Sequence, residues 1–493
     1  MSVDRPVSPA GGDLRGRVIG GLAWKLLSQI IAQGSRIAVG IVLAHLLTPR
    51  QFGVAAMALV FTGLASIFTD LSLGAALIQR AEITEEDRST VFWTTIQAGA
   101  VTTAIGVAIA PLVGRLFATP EVTPLFFAAS FLALLSSVAA TQMALLTREM
   151  NFRGLELREI AATVAGAVAA IALALAGAGA WAIVAQSLVV AVVSVVLVWS
   201  FSSWRPRFIY STQSLRTLGS FGIKTLFARL MSYLNLYADN LLVGRFLGST
   251  ALGVYTLAYN VMFVPVNRIA QPVQQVLYTA FVRLQDDPVR LGRAWLRGNR
   301  LVTAVNVPAF LGMAVVAPDF VPAVFGGRWH HAVPVLQLLS LAGVAQSFQT
   351  LNWSVLQSVG ATGRLLRFMI FSSVITVGAF AAGLTWGVVG VAGLYAAARL
   401  VVGVVYTEIT CRTIGLPVGE FLRSIATPCL LAATMGAAIY AFRFALVAGG
   451  MPTGLRLVLL VVLGGGIYVG LLGWCAPGLL NEAQDVIRRR SYS

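Results

Sequence analysis

Apolar stretches about twenty residues long recur along this chain from Val18 to Cys475, separated by short segments that hold most of the charges. In a helix, about twenty apolar residues cover the ~30 Å hydrocarbon core of a bilayer. Strict alternation of apolar and polar positions is absent, which argues against a transmembrane barrel. The pattern predicts helices over 19–44, 50–78, 91–118, 122–146, 157–177, 179–203, 217–246, 250–279, 298–325, 332–358, 364–386, 388–413, 418–446 and 455–476. The expected fold is an all-α polytopic membrane protein of about fourteen transmembrane helices.

Composition agrees. Of 493 residues, 58% are hydrophobic and 11% charged, where a soluble chain carries about 25% charged residues. The stretch after Arg5, Arg15 and Arg17 is too long for a removable signal peptide and lacks a small-residue cleavage site, so it reads as the first span. Cys411, Cys429 and Cys475 lie in or at the ends of spans. They form no pairing framework and read as free thiols.

The basic residues give the helices a direction. With the N-terminus inside, 23 of the 35 Lys and Arg fall in the tails and alternate loops, six (Arg50, Arg115, Arg245, Arg328, Arg443 and Arg456) in the opposite loops, and six within spans. Such a bias sets orientation and places both ends in the cytoplasm. It also accounts for most of the +16 net charge, so nucleic-acid binding is a poor reading.

Compared with itself at an offset of 200, the chain matches Leu47, Gly53, Val54 and Ala58 to Leu247, Gly253, Val254 and Ala258. The match joins the same junction in each half, the end of one outgoing helix and the start of the next. Six spans precede the seventh, so the halves share orientation, as in transporters built from parallel repeats. The expected organisation is a cytoplasmic tail (1–18), an N-lobe of helices one to six (19–203), a cytoplasmic linker (204–216), a pseudo-symmetric C-lobe of helices seven to twelve (217–413), a C-terminal helix pair (414–476) and a basic cytoplasmic tail (477–493).

Polar residues within spans are costly and mark aqueous cavities or functional paths. Lys25, Gln29, Gln33 and Arg36 recur at helical spacing on one face of the first span. Thr62, Ser66, Thr69 and Asp70 form a similar stripe on the second. The seventh carries Lys224, Arg229, Tyr233, Tyr237, Asp239 and Asn240. The eighth carries Asn260, Asn267, Arg268, Gln271, Gln274, Gln275 and Tyr278, with Pro265 and Pro272 among them. Gln346, Gln349, Asn352 and Gln357 lie in the tenth, and Tyr395 and Arg399 in the twelfth. Spans five, six, thirteen and fourteen are nearly bare. The most polar spans are thus repeat partners, as expected of helices lining a central path. The alternative is interhelical hydrogen bonding or snorkelling to an interface, the latter open for Lys25 and Lys224. Interior cations outnumber the two acids counted, Asp70 and Asp239, which points to an anionic cargo. The two acids are candidates for ion coupling or for structural pairing with an interior Arg. The two prolines make the eighth helix either a bending gate or a static kink.

No catalytic constellation, metal cluster or cofactor motif is found. His45, His330 and His331 sit at outer helix ends without ligands at metal spacing. Gly464-Gly-Gly-Ile-Tyr-Val-Gly lies in an apolar span with no preceding strand and reads as helix packing. The segment from Arg283 is expected to form a short amphipathic cytoplasmic helix, capped by Asp286 or Asp287, with Pro288 in its first turn.

Four segments carry a family resemblance: Leu43-Ala-His-Leu-Leu-Thr-Pro-Arg-Gln-Phe-Gly-Val-Ala-Ala-Met-Ala, Phe68-Thr-Asp-Leu-Ser-Leu-Gly-Ala-Ala-Leu-Ile-Gln-Arg, Asp239-Asn-Leu-Leu-Val-Gly-Arg-Phe-Leu-Gly and Leu284-Gln-Asp-Asp-Pro. The chain resembles the Wzx-type polysaccharide flippases of the multidrug/oligosaccharidyl-lipid/polysaccharide superfamily, most densely over residues 20–300. The resemblance implies a bacterial inner membrane, fourteen helices in two lobes, and translocation of undecaprenyl-pyrophosphate-linked oligosaccharides by alternating access. Membrane lipids, a polysaccharide polymerase and chain-length proteins are the partners to expect. The candidates for holding pyrophosphate, taken from helical spacing, are Lys25, Arg36, Lys224, Arg229, Arg268 and Arg399. The candidate polar lining is Gln29, Gln33, Asn260, Asn267, Gln271, Gln275, Gln346 and Gln349. A drug or cation antiporter would favour acidic cavity residues and twelve helices. A membrane polymerase or ligase would need a large outer loop with catalytic side chains. A noncatalytic scaffold would have little use for a polar-lined interior.

Overall fold

The computed structural model of the chain describes residues 11–70, 73–80, 82–212, 222–265 and 271–479, and every regular element among them is helical. Ten helical stretches among the described residues are long and apolar enough to cross a membrane, and Ile31–Leu46 is a shorter apolar helix. Large aliphatic side chains such as Val101, Ile105 and Leu112 lie exposed along helix flanks, as suits a surface solvated by lipid. The protein is a multi-pass membrane protein.

The chain divides into two compact units, Met1–Thr250 and Ala251–Ser493. The first contains α1 (Gly11–Leu46), α2 (Pro49–Asp70), α3 (Leu73–Gln79), α4 (Glu85–Leu116), α5 (Val122–Arg148), α6 (Phe152–Leu175), α7 (Trp181–Phe201) and most of α8 (Gly222–Pro265). The second holds the end of α8, then α9 (Gln271–Arg283), α10 (Pro288–Phe325), α11 (Ala332–Ser347), α12 (Asn352–Ser358), α13 (Thr362–Gly383), α14 (Gly387–Ile414), α15 (Val418–Ala448) and α16 (Thr453–Cys475). Backbone regularity fails in α8 at Gly248, whose φ of 83° only glycine adopts cheaply. Residues Leu47 and Thr48 likewise separate α1 from α2, 200 positions earlier.

In the first unit, α4 and α5 form the tightest hairpin, and small side chains explain why. Gly99, Gly106 and Gly114 of α4 face Ser137, Ser130 and Thr123 of α5. A Cβ on Gly106 would come within 2.6 Å of the Ser130 hydroxyl. Between lipid-facing helices such small-residue stripes let backbones approach and gain dispersion contacts. Thr103 adds a hydrogen bond to the Ser130 carbonyl at 3.1 Å. α4 starts in a capping box: the Thr84 hydroxyl accepts from the Asp87 amide, and the Asp87 carboxylate accepts from the Thr84 amide, both at 3.1 Å. Arg80 pairs with Asp87 at 3.1 Å, and Arg148 at the end of α5 donates to the Leu77 carbonyl at 2.8 Å, satisfying the end of α3.

In the second unit, α10 packs on α11 and on the pair α15–α16, while α14 packs on α11 and α13. Asp287 caps α10 by accepting from the Arg290 amide at 3.0 Å, with Pro288 in the first turn. The cap is as expected, but the helix it starts is not a separate short one. It runs unbroken for 38 residues, because Pro308, Pro318 and Pro322 are tolerated where neighbouring helices enclose it. α8 is described as far as Pro265 and α9 from Gln271, so the course of the expected eighth helix between its two prolines lies outside the described residues. In the glycine-rich segment, a Cβ on Gly464 would meet Ile439 of α15 at 2.6 Å, a packing contact as expected.

Candidate functional site

In the first unit, the polar face of α1 meets α6. Arg36 pairs with Glu159 at 2.6 Å, Ser28 donates to Glu156, and the Arg153 guanidinium lies 5.6 Å from the Trp24 ring centre. Arg158 completes the seam, donating to Glu159 at 3.2 Å and to the Ser194 hydroxyl of α7 at 2.7 Å. Below this polar layer the interface turns apolar, with Val39, Leu43 and Leu47 against Ala167, Ala170, Ala174 and Ala182. Lys25, Gln29 and Arg36 remain exposed on this unit, while Gln33 is half-buried. Arg36 keeps 55% of its side chain open, so Glu159 balances its charge without enclosing it.

The first unit also receives the start of α8. The Tyr233 hydroxyl donates to the Val60 carbonyl of α2, and its ring lies over Gly63, where a Cβ would come within 2.5 Å. Tyr237 stacks on Tyr233 with ring centres 4.3 Å apart. Asp239 is buried and its carboxylate accepts from the Asn240 amide at 2.7 Å. The side chains of Asp70, Lys224, Arg229 and Gln271, and Asn267 and Arg268 altogether, lie outside the described residues.

In the second unit the sequence candidates converge on Arg399. Its Nε donates to the Tyr395 hydroxyl at 3.1 Å, and the guanidinium sits 5.3 Å from the Tyr395 ring centre. That ring stacks on Phe380 of α13 at 5.2 Å. Gln349 is buried and donates to the Arg399 carbonyl at 3.0 Å, which fixes α14 against α11. Gln349 is thus a brace for Arg399, while Gln346 is half-buried and Asn260 and Gln275 are exposed. Among the described residues no carboxylate pairs with Arg399. Of the five guanidinium N–H donors, one is engaged by the Tyr395 hydroxyl. A partly buried guanidinium held by the ring face and hydroxyl of one tyrosine is well suited to phosphate.

Two sets of polar residues escaped the sequence reading. The first is Asp319 of α10, fully buried, which accepts from Arg443 Nε at 2.5 Å and from Arg456 Nε at 2.6 Å. Both arginines had been placed in outer loops and their helices treated as nearly bare. With Glu159, Asp319, Glu408 and Glu420 added to Asp70 and Asp239, acids within the expected spans number six, not two. The second is the row Asn299, Thr303 and Asn306 on one face of α10, all fully buried. Asn299 Oδ1, Thr303 Oγ1 and both polar atoms of the Asn306 amide have no hydrogen-bond partner. Helical spacing would have revealed this row; nothing local announces the partners of Asp319. Among the described residues, no three His, Cys, Asp or Glu side chains are grouped to hold a metal ion.

Comparison with known proteins adds the family. The sequence profile described as "Polysaccharide biosynthesis protein" matches residues 42–334. The chain belongs to this polysaccharide biosynthesis family. All four segments that carried the resemblance to Wzx-type flippases fall inside the matched range, and that identification holds. WzxC, the lipopolysaccharide biosynthesis protein of Escherichia coli K12, is 28% identical over 372 residues, 75% of this chain and 76% of its own length. ExoT, the succinoglycan biosynthesis transport protein of Rhizobium meliloti, is 27% identical over 473 residues and 95% of each chain. Among solved structures, the lipid II flippase MurJ in an inward closed conformation has the same fold, with a TM-score of 0.75 over 92% of this chain and 100% of its own, at 13% identity. At the end of one of those four segments the contacts are architectural. Arg80, its last residue, pairs with Asp87, and the neighbouring carbonyl of Leu77 accepts from Arg148.

Proposed function

We propose that this family member is a flippase that carries undecaprenyl-pyrophosphate-linked oligosaccharide repeat units across the bacterial inner membrane for exopolysaccharide, capsule or O-antigen synthesis. The observation that carries the reading is the near full-length match to ExoT, a protein named for succinoglycan transport. The fold shared with MurJ is consistent with it. The chain acts as a secondary transporter, without covalent chemistry of its own, and its partners include the polymerase and chain-length proteins that use the delivered repeat units.

The transporter is read as fourteen crossings with both termini cytoplasmic. α2 with α3 counts as one crossing, α8 divides at Gly248, its second part is counted together with α9, and α11 with α12 counts as another. The breaks at Leu47–Thr48 and at Gly248 support two parallel repeats of six helices. Val54 and Val254 are both buried, as are Ala58 and Ala258. α15 and α16 form the additional pair.

Alternating access exposes the cations to each side in turn, while the lipid tail stays in the bilayer and the sugars cross a polar path. Arg399 is the first choice for holding the pyrophosphate, because its guanidinium has no carboxylate partner among the described residues. Arg36 shares its charge with Glu159 and acts more weakly. Lys25, Lys224, Arg229 and Arg268 complete the cationic set, and Asp70 and Asp239 remain the carboxylates for ion coupling. A strain lacking this chain accumulates lipid-linked repeat units on the inner leaflet, and Arg399→Gln fails to relieve that accumulation while wild type does. Normal surface polymer in the deletion strain would refute the function; full rescue by Arg399→Gln would refute the role of this arginine.

A further inference from the structure

At one end of the α13–α14 hairpin, three arginines surround a groove of about 430 Å³. Arg364 and Arg367 lie one turn apart on α13, and Arg412 is in the last turn of α14. Arg364 donates to the Thr413 hydroxyl at 2.8 Å, Arg367 donates to the Gly363 carbonyl at 3.3 Å, and Arg412 pairs with Glu408. These contacts orient the three stems but use only a fraction of the five N–H donors on each guanidinium. With Glu408 counted, the mouth carries a net charge of about +2.

Behind this mouth the groove is apolar. Phe368 is buried and stacks on Tyr406 with ring centres 3.8 Å apart, closing the floor. Phe371, Val405 and Ile409 form the walls. From Arg364 to Phe371 is seven residues, roughly 10 Å along the helix. A free phosphate ion would use the arginines and leave this strip bare. Beyond the arginines the lining holds no hydroxyl or amide side chain, so the strip offers a sugar no hydrogen bond. A charged mouth opening onto an apolar strip on the lateral face of a membrane helix pair matches a phospholipid, its phosphate on the arginines and one acyl chain along the strip.

We propose that the groove bounded by Arg364, Arg367 and Arg412 binds an anionic phospholipid, and that its doubly positive mouth favours a diphosphate lipid such as cardiolipin over a zwitterionic one. Its assignment to the cytoplasmic leaflet rests on the orientation proposed above; the binding itself does not. The test is native mass spectrometry of the full chain in mild detergent, offered cardiolipin, phosphatidylglycerol and phosphatidylethanolamine at equal concentration. Cardiolipin is retained at least tenfold over phosphatidylethanolamine. The triple variant Arg364→Gln, Arg367→Gln, Arg412→Gln loses that preference, and Glu408→Gln binds at least as well as wild type. Thermal melting checks that the variants hold their fold. If the triple variant does not, the single changes Arg367→Gln and Arg412→Gln provide the comparison at smaller effect. Equal retention of all three lipids, or unchanged retention by the arginine variants, overturns the proposal. Displacement of cardiolipin by equimolar undecaprenyl pyrophosphate also overturns it, since the groove would then serve the cargo. Retention is read without transport, so loss of flipping with normal lipid binding would count against the proposed function alone.

Discussion

Arg399 and Asn306 show opposite treatments of a polar side chain in an apolar helix. Arg399 is given the ring face and hydroxyl of Tyr395 but no carboxylate counter-ion among the described residues. Charge is what it contributes. Arg399→Lys should retain a measurable part of transport and Arg399→Gln almost none, with equal amounts of protein in the membrane; equal activity of the two variants would exclude a charge requirement. Asn306 has an amide with no partner at either end, and an unsatisfied buried polar group costs about 1–3 kcal/mol. Asn306→Leu should therefore raise the apparent Tm in detergent. A lowered Tm would mean that the amide finds a partner in the folded protein. Both residues are visible in the sequence as polar letters in apolar runs. Tyr395 stands one turn before Arg399 on α14, a spacing legible in the sequence. Gln349 reaches the Arg399 carbonyl only after distant helices pack, and the missing partners of Asn306 are likewise a property of the packed fold.

At the scale of elements, helices were legible and their junctions were less so. Apolar stretches of about twenty residues mark α4 to α7 and α13 to α16 closely, because lipid demands apolar side chains all along a crossing. The long α10 joins two expected elements, since the short amphipathic helix expected after Arg283 runs on into the span 298–325 without a break. Helix pairing is legible only where small residues repeat, as in the stripe of Gly99, Gly106 and Gly114. Gly106→Leu should separate α4 from α5 and abolish accumulation of folded protein, whereas Val101→Leu on the exposed flank should not. The check is the yield of monodisperse protein after detergent extraction. Asp319 was not legible as a site. Its partners Arg443 and Arg456 lie 124 and 137 residues away, and each separately resembles an ordinary helix-end charge. Removing one partner from a buried ion pair costs about 3–5 kcal/mol. Arg443→Ala and Arg456→Ala should each lower the melting temperature of the whole chain. The combined change of Asp319, Arg443 and Arg456 to Leu should recover much of the loss; no recovery would show that the ions do more than join helices.

For the whole molecule, the count of basic residues gives an orientation that can be measured directly. A single cysteine placed at Arg364 should react with a membrane-impermeant reagent only in inverted vesicles, and one placed at Arg328 only in intact spheroplasts, after Cys411, Cys429 and Cys475 are replaced. The reverse pattern would invert the topology. The joint between Asp319 and its two arginines also carries a consequence for how the protein is made. Chains emerge N-terminus first, so α10 enters the bilayer with its carboxylate before either arginine has been synthesised. Until α15 and α16 arrive, that segment holds an uncompensated acid in an apolar setting. A chain stopped by translation error before Arg443 would be marked by this acid as unfinished, open to the proteases that clear incompletely assembled membrane proteins, while the finished chain neutralises the mark with its last two helices.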